Sequence, residues 1–318
     1  MEQRNLAYDL IRALAIIFIV IIHSSEPLSL AEGFFPRLEY AILRSVIDNG
    51  IPLFVMLSGA LLLGKQESLP VFFKKRFLRL IPPFLFWSFV VFLLYRIMDG
   101  NKDLLHLFPD YLVGLFTAKI HGIYWFVYMI IGLYLITPIL RIVCNEAKPT
   151  FYLMIVTGIL WILHKAFPAF EVGRQMFAPF IPWIFCFLSG YALTRFLQDN
   201  IRVRRIIQWT SLGIFLLNIV LRMTLNLSVW IEIFTAVGLF SLLLEKAPSK
   251  LSPVSRALSK YSYGIYLSHF LLISAFIRLV GDRLPVSIHP FIVAAVVLVV
   301  IVPLFWVADK LHLRKIVS

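Results

Sequence analysis

Long apolar runs alternate with short polar clusters along this chain. A run of about 17–25 apolar residues is long enough to cross a bilayer as a helix. Ten such runs lie near 8–27, 39–63, 78–98, 123–142, 150–167, 177–196, 206–222, 226–244, 261–280 and 290–310. Arg205 and Arg222 pinch the seventh. The shorter apolar stretch 104–117 predicts an interfacial or re-entrant piece inside the longest loop. No hydrophilic stretch is long enough for a second domain, and neither an internal repeat nor a low-complexity segment is visible. The pattern predicts an all-α membrane protein of about ten transmembrane helices.

Two ionisable residues interrupt the first run. Arg12 and His23 both fall inside it, eleven positions apart. An ionisable side chain at membrane depth costs about 2.5–3.5 kcal/mol on insertion scales, which makes it a functional candidate. Eleven steps of about 100° return to within roughly 20° of the starting azimuth, so the two share one helix face about 16 Å apart. Asp9 and Glu26 extend that face by one turn at each end. A charged stripe on an apolar helix points toward a polar cavity. The plainer alternative is an arginine snorkelling to headgroups and a histidine near the far interface.

Composition agrees with the pattern. Hydrophobic residues make up 60% and charged residues 15%, and the mean hydropathy is +0.89; a soluble domain carries about 25% charged residues. The net charge of +13 sits in short clusters between apolar runs, which argues for membrane topology rather than a nucleic-acid partner. Roughly twice as many Lys and Arg fall in one alternate set of loops as in the other, which puts both termini in the cytoplasm. Arg12 then lies in the inner leaflet and His23 toward the outer. Seven Trp and twelve Tyr suit interfacial belts. Cys144 and Cys186 lack a Cys-x-x-Cys partner and predict buried structural thiols, without a disulfide framework or metal site. Ser29-Leu-Ala31 has the look of a leader-cleavage site, but Glu2, Arg4 and Asp9 make a poor positive leader start, so the first helix is expected to be retained.

Four further motifs stand out. In Lys74-Lys-Arg-Phe-Leu-Arg-Leu-Ile-Pro-Pro83, Arg76 and Arg79 are three apart and share a helix face. Two guanidiniums there can clamp a phosphate bidentately, or simply anchor the helix at the inner surface. Pro82-Pro83 is expected to kink or restart that helix. In the stretch 48–59, Ser58 and Gly59 favour close helix packing, while Asp48 and Asn49 are placed to border a cavity. Trp125 reads as a belt residue. His269, in Ser262-Tyr-Gly-Ile-Tyr-Leu-Ser-His269, is a second intramembrane histidine with no charged partner in its segment, equally suited to a structural hydrogen bond. No phosphate-binding glycine loop, serine-hydrolase elbow or zinc-protease helix motif occurs.

Arg12-(ten residues)-His23, Pro52–Gly59, Arg76-Phe-Leu-Arg-Leu-Ile-Pro82, Trp125–Pro138 and Tyr263-Gly-Ile-Tyr-Leu-Ser-His269 together resemble acyltransferase family 3. The resemblance spans nearly the whole chain. It implies a single integral membrane domain over 1–318 with no appended soluble domain, in the cytoplasmic membrane. It implies O-acyl transfer, with acetyl as the expected group, from cytoplasmic acyl-CoA to a hydroxyl of an extracytoplasmic or lipid-linked glycan. Acyl-CoA is then a donor substrate, and no bound cofactor or metal is expected. On this reading Arg76 and Arg79 hold the CoA phosphates and Arg12 guides the donor or polarises its thioester. His23 acts as general base, with Glu26 orienting its ring; Asp9, Asp48 and His269 support the site. A transporter or flippase of a polar or lipid-linked substrate is the competing class, though it normally shows a repeat or matched broken helices. An assembly scaffold is a third reading, in which Arg12 and His23 are replaceable.

Overall fold

The computed structural model describes residues 5–101, 103–166, 180–225, 231–280 and 284–318. Arg4, Lys102, Arg174 and Arg283 of the charge pattern lie outside them, as do parts of the expected spans 150–167, 177–196 and 226–244. Every described element is helical. The first is α1 (Leu6–Ser24), whose start is capped by the Asn5 side chain accepting from the Ala7 and Tyr8 amides. The short α2 (Glu26–Leu30) follows a break at Ser25, then α3 (Phe34–Ile47) and α4 (Gly50–Leu62). Next come α5 (Leu69–Met98), α6 (Leu107–Phe116), a 3-10 turn at Gly122–Tyr124, and α7 (Trp125–Val143). The remainder is α8 (Ala147–Ala166), α9 (Ile181–Arg195), α10 (Ile201–Leu225), α11 (Glu232–Glu245), α12 (Pro253–Val280), α13 (His289–Lys310) and α14 (Arg314–Val317).

Seven helices, α3 and α4 counted together, are long and apolar enough to cross a membrane among the described residues. Their outer faces carry bare Ile142, Val299 and Leu304, which suits contact with lipid rather than water. The other three expected spans fall on α8, α9 and α11, whose described apolar lengths are shorter. The 104–117 stretch forms the ten-residue α6, with Leu104, Phe108 and Phe116 exposed. It is tied to α5 through Arg96 and Asp110 at 2.7 Å.

Two expectations about helix continuity are corrected. The run 39–63 is not one helix: it breaks at Asp48–Asn49 into α3 and α4. Pro52 has no amide hydrogen for the Asp48 carbonyl, and the Asn49 side chain donates to the carbonyls of Ser45 and Val46, closing α3. Pro82-Pro83, by contrast, does not restart a helix, because α5 runs unbroken through both. The Tyr263 hydroxyl of α12 donates to the Leu80 carbonyl at 2.8 Å, tying α5 to its neighbour at this level.

The first helix sits at the centre, packed by α3, α4, α11, α12 and α13. It runs in the same direction as α12, since Asp9 meets Ser259 near one end and His23 meets His269 farther along. Against α4 lies α9, at a crossing made by glycines. A Cβ on Gly59 would stand 1.7 Å from the Phe187 carbonyl oxygen, and one on Gly190 would stand 1.9 Å from that of Met56. Two backbones touch here because neither residue has a side chain. Cys144 and Cys186 are free and buried.

Candidate active site

The polar stripe on α1 is built as the periodicity requires, on one unbroken helix from Asp9 to His23. Its N-terminal end is pinned first. Arg12 donates to Asp9 at 3.3 Å, and Asp9, which is buried, accepts from the Ser259 hydroxyl of α12 at 2.6 Å. The carboxylate thereby joins two helices and holds the guanidinium. Arg12 remains partly exposed and lines two cavities at this end of the bundle.

At the other end of α1, His23 meets His269. Their ring centroids are 5.1 Å apart and inclined at 45°. His269 is fully buried, and its Nδ1 lies 3.0 Å from the Ile265 carbonyl and 2.8 Å from that of Tyr266. Carbonyls only accept, so Nδ1 carries the proton and Nε2 keeps its lone pair. That Nε2 is buried and has no hydrogen-bond partner among the described residues. A buried polar atom left unpaired costs about 1–3 kcal/mol. Such an atom is a place where a substrate group can complete the bonding. His269, expected to stand without a charged partner, thus faces the His23 ring across the helix crossing.

A cavity of about 500 Å³ reaches Tyr266, a neighbour of this pair, though neither histidine lines it. Lys65, Lys75, Arg76 and Arg79 stand at one end, and Phe126, Tyr134 and Tyr266 lie deeper. The Tyr266 ring is 6.2 Å from that of His269. The hydroxyl of Tyr266 donates to the Ile123 carbonyl, which fixes the wall. The cavity thus joins basic residues to apolar and aromatic ones, and Tyr266 is the lining residue that touches the histidine pair.

Arg76 and Arg79, expected to act together on a phosphate, have different surroundings. Arg76 pairs with Glu67 at 2.5 Å, and Arg141 reaches the same carboxylate at 3.2 Å. Both guanidiniums lie over the Phe72 ring, at 4.7 and 4.5 Å. Arg141 also donates to the Leu62 carbonyl at the end of α4. Burial works against charge on Glu67, but hydrogen bonds from Arg76 and Arg141 outweigh it and hold the carboxyl below its ordinary range. Arg79, one turn farther on, has no carboxylate partner among the described residues and faces the cavities. Helical spacing put the two arginines on one face; a loop acid then divided their tasks.

Glu26 does not continue the α1 face. The helix ends at Ser24, Glu26 begins α2, and its side chain is exposed with no hydrogen bond to His23 among the described residues. Asp48 caps α3 and is held by Arg44 at 2.8 Å and Arg222 at 2.7 Å; Arg222 also pairs with Glu232. A cavity of about 500 Å³ is walled by Arg37, Tyr40, Arg44 and Arg222; Asp48 and Asn49 do not line it, though the two arginines that hold Asp48 do.

Several residues of the site escaped the sequence reading. His289 turns its Nδ1 to the Ser24 carbonyl at 3.2 Å, beside the His23 end of α1. His121 stacks on Phe270 at 4.0 Å. Neither carries a local signal beyond being a histidine near an apolar run. Glu67 did have one: it is the sole acidic residue between Asp48 and Asp99, set in a basic cluster.

The described residues thus form a helical bundle with seven helices long and apolar enough to cross a membrane, and with a pair of facing imidazoles inside it. The model of acyltransferase family 3, described as an acyltransferase domain, matches residues 5–309, and the chain belongs to this family. No curated protein and no solved structure matches the chain.

Proposed function

We propose that this protein is an O-acyltransferase, with acetyl as the transferred group, taking it from cytoplasmic acyl-CoA to a hydroxyl of an extracytoplasmic or lipid-linked glycan. The observation that carries the reading is the His23–His269 pair, next to Tyr266, which lines a cavity that opens among cations. The proposed topology has ten spans, both termini in the cytoplasm, in the cytoplasmic membrane. The shared direction of α1 and α12 supports it, because the first and ninth spans of such a bundle run the same way.

The acyl-pantetheine arm enters the cavity past Arg12 and Arg79 and brings its thioester toward Tyr266. The acceptor approaches from the other end of α1, where Arg37, Tyr40, Arg44 and Arg222 offer hydrogen bonds and an aromatic face to a sugar. His23, the more open ring, takes the proton of the acceptor hydroxyl. The hydroxyl oxygen attacks the thioester carbonyl, the carbon–sulfur bond breaks, and the CoA thiolate leaves and takes up that proton. His269 Nε2 accepts from the His23 ring as the site closes, leaving the opposite nitrogen of His23 free to act as base. Catalytic hydrogen bonds are often long before substrate binds and tighten in the complex.

The test compares the mass of envelope glycans from cells with and without the gene. Loss of an acetyl unit per glycan repeat is the expected result. Unchanged glycans, together with movement of a labelled solute or lipid by the purified protein in vesicles, would favour the transporter class instead.

A further inference from the structure

The cavity that reaches Tyr266 is a shaft with two unlike ends. Its lining residues on α7, Phe126, Ile130 and Tyr134, are four apart and form one helix face about 12 Å long. On α4, Phe54, Leu57, Ser58, Leu61 and Leu62 form a second such face. Two contacts show that the faces run side by side in the same direction. The Phe54 and Phe126 rings lie 6.4 Å apart, and Arg141, farther along α7, donates to the Leu62 carbonyl. The cations belong to the Leu62 end, because Arg76 and Arg141 share Glu67 there. Phe54 and Phe126, with Tyr266 of α12, therefore form the opposite end.

That far end is closed by rings that hold one another. Phe126 is buried, with its ring 5.1 Å from that of Tyr266 and 6.3 Å from that of Trp125, steeply inclined to both. The Tyr266 hydroxyl is bonded to the Ile123 carbonyl, so its ring cannot swing aside without breaking that bond. His269 lies on beyond Tyr266, its ring 6.2 Å away. The shaft thus stops one ring short of the histidine pair. A thioester arm that enters among the cations arrives acyl end first. Its leading carbon meets Phe126, while the carbonyl behind must come up to Tyr266 to react. Each carbon added to the acyl group holds that carbonyl farther back. A misplacement of about 1 Å can cost about 10²-fold in rate.

We infer that Phe126 sets the length of the acyl group this protein transfers. Its ring is the surface on which the acyl methyl rests, and it restricts transfer to the two-carbon group. This rests on the acyl-CoA reading above. A longer acyl-CoA still binds through the rest of its length, so the discrimination falls on kcat and leaves KM nearly alone.

The test measures CoA release from acetyl-, butyryl- and hexanoyl-CoA by purified full-length protein. Envelope glycan isolated from cells lacking the gene serves as acceptor. The unmodified protein favours acetyl over butyryl by about 10²-fold in kcat, within the range that one or two methylenes command in a fitted pocket. Phe126→Ala narrows the preference to about tenfold or less, and Phe126→Leu, the milder change should the alanine variant not fold, narrows it part of the way. Leu61→Ala enlarges the same shaft near its cationic end and leaves the preference as it was. Equal acetyl and butyryl rates in the unmodified protein would overturn the inference without any variant. So would an unchanged preference in a folded Phe126 variant, or an equal shift in Leu61→Ala, which would mean general loosening. Failure of the acyltransfer reading shows separately, as no CoA release from any of the three donors, and takes the inference with it.

Discussion

Two helix crossings inside this bundle do opposite things. Where α4 meets α9, Gly59 and Gly190 bring backbone against backbone, leaving no room for chemistry. Where α1 meets α12, polar side chains face each other: Asp9 with Ser259 at one end, His23 with His269 at the other. Apolar Ile11, Ile16, Ile19 and Ile265 fill the core between. The first crossing is complete as it stands. The second ends in an imidazole nitrogen with a lone pair and no partner among the described residues. Burial alone therefore does not separate scaffold from site; unfinished hydrogen bonding does.

The comparison breaks most visibly at the glycines. Gly59→Leu or Gly190→Leu drives a side chain into the facing backbone. Overpacking costs about 1–3 kcal/mol where side chains can yield, and more where only backbone is in the way. Loss of monodisperse, folded protein is expected on size exclusion, whereas Gly213→Ala, with nothing within 4 Å of the new Cβ, should elute unchanged. At the polar crossing the pattern reverses. His269→Ala should leave the protein folded and cut acyl transfer, though less than loss of His23 does. His269→Gln, which keeps an acceptor atom, should restore part of the rate; equal rates for Ala and Gln would deny the orienting role.

The inner arginines sharpen the same contrast between finished and unfinished contacts. Arg79→Gln should raise the KM for acyl-CoA with little change in kcat, the signature of lost uniform binding. Arg76→Gln should instead lower the melting temperature, because Glu67 loses its nearest partner while Arg141 remains. A raised KM for Arg76→Gln with unchanged melting would return Arg76 to the donor site. The smallest effect concerns pH. The Glu67 carboxyl is held below its ordinary range. Its contribution to stability is therefore present above its unfolded-state value and fades as pH falls through the depressed folded value. Glu67→Gln should melt lower than the unmodified protein near neutral pH, and the gap should narrow in acid; a gap independent of pH would rule out the ionised carboxylate as its source.

Much of the helical framework was legible because bilayer thickness sets the length of an apolar run. Arg12 and His23 were legible because ionisable groups are out of place in such a run. What stayed hidden depends on contacts between distant segments. His269 lies 246 positions from His23, and nothing local to either reports their meeting. Glu26 was extrapolated along an ideal helix that in fact ends at Ser24. Of the two outcomes that Pro82-Pro83 offered, a kink or a restart, the restart is excluded because α5 runs on through both. Asn49 and Pro52 did carry a local signal for the α3–α4 break, masked by the apolar residues on either side.

The central claim is that acyl transfer takes place at the His23–His269 crossing. Its most direct test is release of CoA from acyl-CoA, in the presence of glycan acceptor, by purified His23→Ala protein with an unchanged elution and melting profile. General-base catalysis contributes about 10²–10⁴-fold, and a rate lowered by that much is predicted. Turnover at the unmodified rate by the folded variant would remove His23 from the reaction and contradict the account.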